Sequence, residues 1–264
     1  MKLTFLGSGT SHGVPMIACN CPVCTSTDVR DKRLRASVWL HDEERSIIID
    51  VGPDFRQQVL RAGVHSLDAV LLTHTHADHL NGIDDLRVYS KLSEHHIPFY
   101  ASEKDCQFIE AHFEYIFNDK DFSLKWGIPR LELIALKGRF QLLGLEITPI
   151  PLIHGKGSCT GYKIGDFAYL TDCSAIPGTS LEALRGVKTM VIDGLRWTPH
   201  PTHFTIQDAL AAISPLKPDI TYITHICHNV SHQADSAKLP KDVFFAYDGL
   251  EIEVVATASP PSSR

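Results

Sequence analysis

The feature that most constrains this chain is Thr73-His74-Thr75-His76-Ala77-Asp78-His79, which directly follows the apolar run at residues 68–72. A compact apolar run of that length reads as a buried strand. In the extended segment beyond it, His74 and His76 are two residues apart and so project to one side. Asp78 and His79 come just before a predicted helix over residues 80–92 and face the same space from another angle. One short loop can thus supply two metal ions, and imidazole with carboxylate suits Zn²⁺, Mn²⁺ or Fe²⁺.

Three more apolar runs stop at a residue of the same kind: 147–153 at His154, 169–171 at Asp172 and 220–224 at His225. One such residue alone would read as a cap or a satisfied core group. Their repetition assigns them to the same site. Asp50 and Asp193 also end apolar runs, and Asp50 is expected to support the metal loop by hydrogen bonds. Further strands are predicted at 2–6, 36–40, 46–50, 97–101, 131–136, 140–149 and 189–193. A hairpin is expected over 161–164 and 167–171, and a closing strand pair over 244–247 and 250–255 around Asp248-Gly249. Helices are predicted at 54–62, 104–117, 181–184 and 205–213. Short strands mixed with helices imply an α/β chain of two packed sheets with outer helices. We expect one domain over 1–258 and a disordered tail over 259–264.

A second cluster is Cys19-Asn20-Cys21-Pro22-Val23-Cys24. Three thiols so close together ask for a fourth ligand and a closed zinc site. Spacing leaves that ligand open among His228, Cys227 and His12, with His228 preferred. Cys106, Cys159 and Cys173 read as buried thiols. The net charge of −6 disfavours broad binding of nucleic acid. No apolar stretch approaches the ~20 residues of a membrane span. The N-terminus turns to glycine too early for a secretory signal, so a cytoplasmic location is expected. A homodimer is a candidate assembly.

The order His-x-His-x-Asp-His, then His154, Asp172 and His225, resembles the metal signature of the metallo-β-lactamase superfamily over about residues 1–255. The resemblance implies an αββα sandwich with the site along one edge. It implies one metal on His74, His76 and His154, another on Asp78, His79 and His225, and Asp172 between them. Asp172 is a carboxylate that true β-lactamases of this fold generally lack, and with two divalent cations it leaves a net positive site suited to an anionic substrate. The Cys loop, the preceding Gly13-Val14-Pro15 and the His225-x-x-His228 pair resemble the PhnP family. That likeness implies a structural zinc on Cys19, Cys21, Cys24 and His228. It also implies a Mn²⁺-supported hydrolysis of 5-phosphoribosyl 1,2-cyclic phosphate to the 1,5-bisphosphate. By the same match, His203 is a catalytic and substrate-binding residue, acting with Asp78, and Arg87 contacts a phosphate. His200 lies close by and is the competing candidate for the catalytic histidine, while Arg196 and Trp197, which precede the His203 segment, are candidates for lining the pocket. The partner expected is a small phosphorylated compound. The competing readings are a tRNA 3′-processing nuclease, a glyoxalase II-like thioesterase and a cofactor-biosynthesis accessory protein.

Overall fold

The computed structural model describes residues 1–93, 95–117 and 127–256. The expected tail at 259–264 lies outside them. The strands in chain order are β1 (Lys2–Gly7), β2 (Ser37–His41), β3 (Ser46–Ile49), β4 (Ala69–Leu71), β5 (Ile97–Ala101), β6 (Leu131–Ala135) and β7 (Phe140–Leu142). They continue with β8 (Leu145–His154), β9 (Gly157–Ile164), β10 (Phe167–Leu170), β11 (Thr189–Asp193), β12 (Ile220–Thr224), β13 (Val243–Phe245) and β14 (Glu251–Glu253). Among the described residues these form two seven-stranded sheets, β14-β1-β2-β3-β4-β5-β6 and β13-β12-β11-β10-β9-β8-β7.

Side-chain alternation within the strands explains the layers. In β3, Ile47 and Ile49 point into the core shared by the sheets, with Leu3, Phe5, Ile147, Tyr162 and Tyr169, while Ile48 points the other way. Ile48 meets the apolar face of α1 (Phe55–Ala62) through Phe55 and Val59. In β11, Val191 faces the shared core while Met190 and Ile192 face a third cluster. That cluster is closed by the helix Ile206–Ile213, whose Ile206, Ala209 and Ile213 are buried at helical spacing. Thr205 caps this helix, its side chain accepting from the Asp208 N–H. The chain therefore has the αββα architecture, with apolar layers on both faces of each sheet.

Four local predictions need correction, one of them the helix expected over 104–117, which is two helices, Glu103–His112 and Glu114–Phe117. The helix expected over 80–92 is divided into α2 (Ala77–Leu80), a 3₁₀ turn (Ile83–Leu86) and α3 (Arg87–Ser93). Close packing accounts for the division: the N–H of Gly82 donates to Val51 O, and a Cβ on Gly82 would lie 2.1 Å from Gly52 O. The run 140–149 is split by a turn at Leu143-Gly144, both at positive φ (50° and 76°). The expected closing strand pair does not form. β13 pairs in parallel with β12, whereas β14 pairs antiparallel with β1 in the other sheet. Asp248 lies between them as a buried anchor, accepting from Ser8 N at 2.9 Å, Ser8 Oγ at 2.8 Å and Leu34 N at 2.9 Å. No helix among the described residues is long and apolar enough to cross a membrane.

Candidate metal centre

β4, β8, β10 and β12 end at one edge of the sandwich and carry the loop and strand-end residues to it. The ligand atoms of His74, His76, His154 and Asp172 lie within 4.8 Å of one another, as do those of Asp78, His79, Asp172 and His225. Asp172 is common to both groups, and its oxygens divide between them. Oδ2 lies 3.8 Å from His74 Nε2 and 4.0 Å from His154 Nε2. Oδ1 lies 3.2 Å from both His79 Nε2 and His225 Nε2. Asp78 Oδ2 stands 3.2 Å from His79 Nε2 and 3.6 Å from His225 Nε2.

Two of the rings have a partner on their far side. Asp50 Oδ2 is 2.7 Å from His79 Nδ1 and Thr202 O is 2.9 Å from His154 Nδ1. Carboxylates and carbonyls at that position fix the tautomer and turn Nε2 toward a metal. Among the described residues, the inward atoms His74 Nε2, His79 Nε2 and His225 Nε2 are buried with no hydrogen-bond partner, and His225 Nδ1 likewise has none. Orphaned buried nitrogens are costly unless something satisfies them, and imidazole and carboxylate donors suit divalent cations. The residues present therefore fit metal ions.

The backbone shows what this convergence requires. Asp50, Asp172 and His225, each just past a strand end, have positive φ of 69°, 55° and 58°. Residues other than glycine occupy that region at a cost that surrounding structure must hold in place, and such strain gathers at functional sites. Burial alone would raise the Asp172 carboxyl, but the imidazoles of His225 and His79 hold it well below its ordinary value. Burial likewise would lower His79, but Asp172, Asp78 and Asp50 hold it well above. Burial, followed by the neighbouring His79, pushes His74 well down.

His203 joins the edge of this site. Its Nδ1 is 2.7 Å from Asp193 Oδ2, and its ring stacks 4.7 Å from His225 and lies 4.9 Å from His154. Asp193 also accepts from the Cys173 N–H at 3.0 Å and places its other oxygen 3.8 Å from His225 Nδ1. Arg87 is directed elsewhere: its guanidinium donates to the carbonyls of Asp84 (2.8 Å) and Gly127 (3.1 Å). It makes no hydrogen bond or ion pair with a cluster residue among the described residues.

The Cys loop reaches the same C-terminal segment. Cys19 Sγ and Cys21 Sγ lie 3.2 and 3.5 Å from His228 Nδ1, and Cys24 completes a group within 4.8 Å. Of the other two candidates, Cys227 Sγ lies 3.3 Å from Asn229 Oδ1 and His12 is exposed. The Cys24 N–H and His228 lower the Cys21 thiol to about 6, while burial raises Cys24 to about 11. We predict that Cys21→Ala lowers Tm by at least ~5 °C and that activity falls only as a consequence. A variant that melts like wild type yet is inactive would contradict this.

Sequence reasoning missed what locks this segment down. Arg33 is fully buried and donates to Asp31 Oδ1 at 2.9 Å, Cys227 O at 3.0 Å and Val230 O at 2.9 Å. Asp31 Oδ1 also accepts from the His232 N–H at 2.8 Å. An Asp-x-Arg pair gives no sequence sign of burial. Burial, with Arg30 and Arg33 nearby, lowers His232 from 6.5 to about 4. Between those values the unfolded chain binds a proton that the folded chain refuses, so stability falls as pH drops through that window. Thermal melts of His232→Gln should lose less Tm from pH 6.5 to 4 than wild type. Equal slopes would exclude the effect.

A model of the beta-lactamase superfamily domain matches residues 45–226. The crystal structure of a new diphosphatase from the PhnP family is 39% identical, covers 98% of this chain and 99% of its own, and superposes with a TM-score of 0.90. An octanoyltransferase from Porphyromonas gingivalis is 40% identical over 95% of this chain, which spans only 51% of that protein's length. Coenzyme PQQ synthesis protein B from Xanthomonas axonopodis pv. citri is 33% identical over 75% of this chain and 74% of its own. The matched domain covers well over half of the sequence, and the diphosphatase aligns with it nearly end to end. The chain belongs to the beta-lactamase superfamily, with the metallo-β-lactamase fold, and stands there with the PhnP family.

Proposed function

We propose that this metal-dependent hydrolase domain cleaves small phosphoric diesters, cyclic or linear. The leading candidate reaction is that of 5-phosphoribosyl 1,2-cyclic phosphate to the 1,5-bisphosphate. The observation that carries this reading is Asp172, whose two oxygens face separate sets of imidazoles. His74, His76 and His154 would hold one Mn²⁺ or Zn²⁺, Asp78, His79 and His225 a second, and Asp172 both. Such cations lower the pKa of a water and draw charge from phosphoryl oxygens. Cys19, Cys21, Cys24 and His228 would hold a structural zinc, whose closed ligand set leaves no position for substrate.

The chain's own residues supply the rest. Asp78 presents its carboxylate beside the inward nitrogens of His79 and His225, 3.2 and 3.6 Å away, and so faces the second metal position with them. Asp193 fixes the His203 ring by Nδ1 and leaves Nε2 to hold a proton for the departing oxygen. His203→Ala should lower kcat by about 10²–10⁴-fold with metal content unchanged. If metal were lost together with rate, His203 would instead be a support for the ligands.

Cleavage of a diphosphate is a second reading, favoured by the 39% identical PhnP-family diphosphatase. The full set of seven His and Asp residues at the centre weighs against an accessory role without catalysis. The deciding experiment is a Mn²⁺-supplemented screen of 2′,3′-cyclic, 1,2-cyclic and linear phosphodiesters with diphosphates, a thioester and a tRNA. Turnover of a small phosphoric ester over an inert thioester is the expected result. Preferred cleavage of thioester or tRNA would overturn the proposal.

A further inference from the structure

Both cation positions of the centre draw on both sheets. The 74–79 loop follows β4 of the first sheet, while His154, Asp172 and His225 end or follow strands of the second. Each candidate ligand group mixes the two: His74 and His76 with His154 and Asp172, and Asp78 and His79 with Asp172 and His225. The gap left for each cation therefore depends on how the sheets are offset at this edge. The core between them is apolar, with Ile49, Leu71, Ile147 and Tyr169. Apolar contact is non-directional and does not fix such an offset. Two hydrogen bonds cross between the sheets at the base of the loop. Tyr162 of β9 is fully buried in the shared core, and its hydroxyl donates to Leu72 O at 2.5 Å. Thr160, two residues back along β9, donates its N–H to Thr73 O at 2.8 Å. These carbonyls belong to the two residues that immediately precede His74. Gly161, between the donors, permits the close packing: a Cβ there would come 2.5 Å from Leu170 Cδ2 of β10.

We propose that Tyr162 is a positioning residue for the metal centre, its hydroxyl fixing the separation between the ligands of the two sheets so that both cation positions fill together. The inference rests on the two-cation reading above. In Tyr162→Phe the ring still fills the core, but Leu72 O loses its donor and the base of the loop is released. Metal–ligand distances tolerate only about 0.2 Å, so a small shift of the loop is felt at the cations before it is felt in the fold. Tyr89 offers a matched comparison. Its hydroxyl also donates to a backbone carbonyl, Val64 O at 2.9 Å, but in the apolar layer on the other face of the first sheet.

The test titrates Mn²⁺ into the full chain, Tyr162→Phe and Tyr89→Phe after dialysis against EDTA. Electron paramagnetic resonance reports whether the bound ions are spin-coupled or isolated, and thermal melts report the fold. Each variant loses one buried hydroxyl bond, so the two should melt within ~3 °C of each other. Wild type and Tyr89→Phe should reach the spin-coupled signal at the same Mn²⁺ concentration. Tyr162→Phe should need roughly tenfold more, passing first through isolated ions, as expected when a group that orients metal ligands is lost. A coupled signal in Tyr162→Phe at the wild-type Mn²⁺ concentration, or an equal weakening in Tyr89→Phe, overturns the positioning role alone. Mn²⁺ that never couples in wild type overturns the two-cation reading and this role with it.

Discussion

Asp172→Asn should lose most of its bound transition metal and lower kcat/KM on bis-p-nitrophenyl phosphate by more than ~100-fold. Replacing a group that merely orients a metal ligand typically costs about 10–100-fold in affinity or activity. Asp172 reaches both imidazole sets directly, so its loss should exceed that range. Asparagine is the informative substitution because it tolerates the left-handed backbone that Asp172 adopts at φ 55°. The variant therefore removes charge while keeping shape. Elemental analysis beside the rate assay reads both effects. Full metal content with a rate within tenfold of wild type would remove the central support for a two-metal site.

Asp50→Asn should be the most destabilising single change near the centre. Asp50 is fully buried and accepts from Thr73 N at 2.8 Å, Thr73 Oγ1 at 2.9 Å and His79 Nδ1 at 2.7 Å. An amide cannot accept from all of these groups, since one of its two ends only donates. Breaking a buried, charge-assisted set of this kind costs about 3–5 kcal/mol, or roughly 6–15 °C in Tm for a chain of this size. Thr73→Val, which removes only the hydroxyl donor, should cost about 1–2 kcal/mol. A thermal melt of Asp50→Asn within ~2 °C of wild type would show that the loop does not depend on this carboxylate.

The two variants separate jobs that the sequence presents alike. Asp50, Asp172 and Asp193 all end apolar runs. In the structure Asp50 lies behind His79, Asp172 lies between the imidazole sets, and Asp193 lies behind His203 and beside His225. The difference comes from strand order. β10, β11 and β12 are parallel neighbours, so Asp172, Asp193 and His225 emerge side by side at the same edge. Nothing local to any of these strands records which neighbour its last residue will meet.

What the sequence determined by itself is whatever depends on near neighbours along the chain. The 74–79 loop reads directly because its ligands adjoin one another. The strands are legible because their side chains alternate with period two, as Ile47, Ile48 and Ile49 do. Tertiary structure alone decided which thiol partner reaches the Cys loop, how the two oxygens of Asp172 divide, and where Arg87 points. It also decided that β13 and β14 belong to different sheets and that Arg33 is buried beneath the His225–His232 segment. Each of these depends on pairing between residues far apart in sequence. Such pairing is set by the free energy of burying whole sheet faces and satisfying distant polar groups, not by the residues that happen to adjoin.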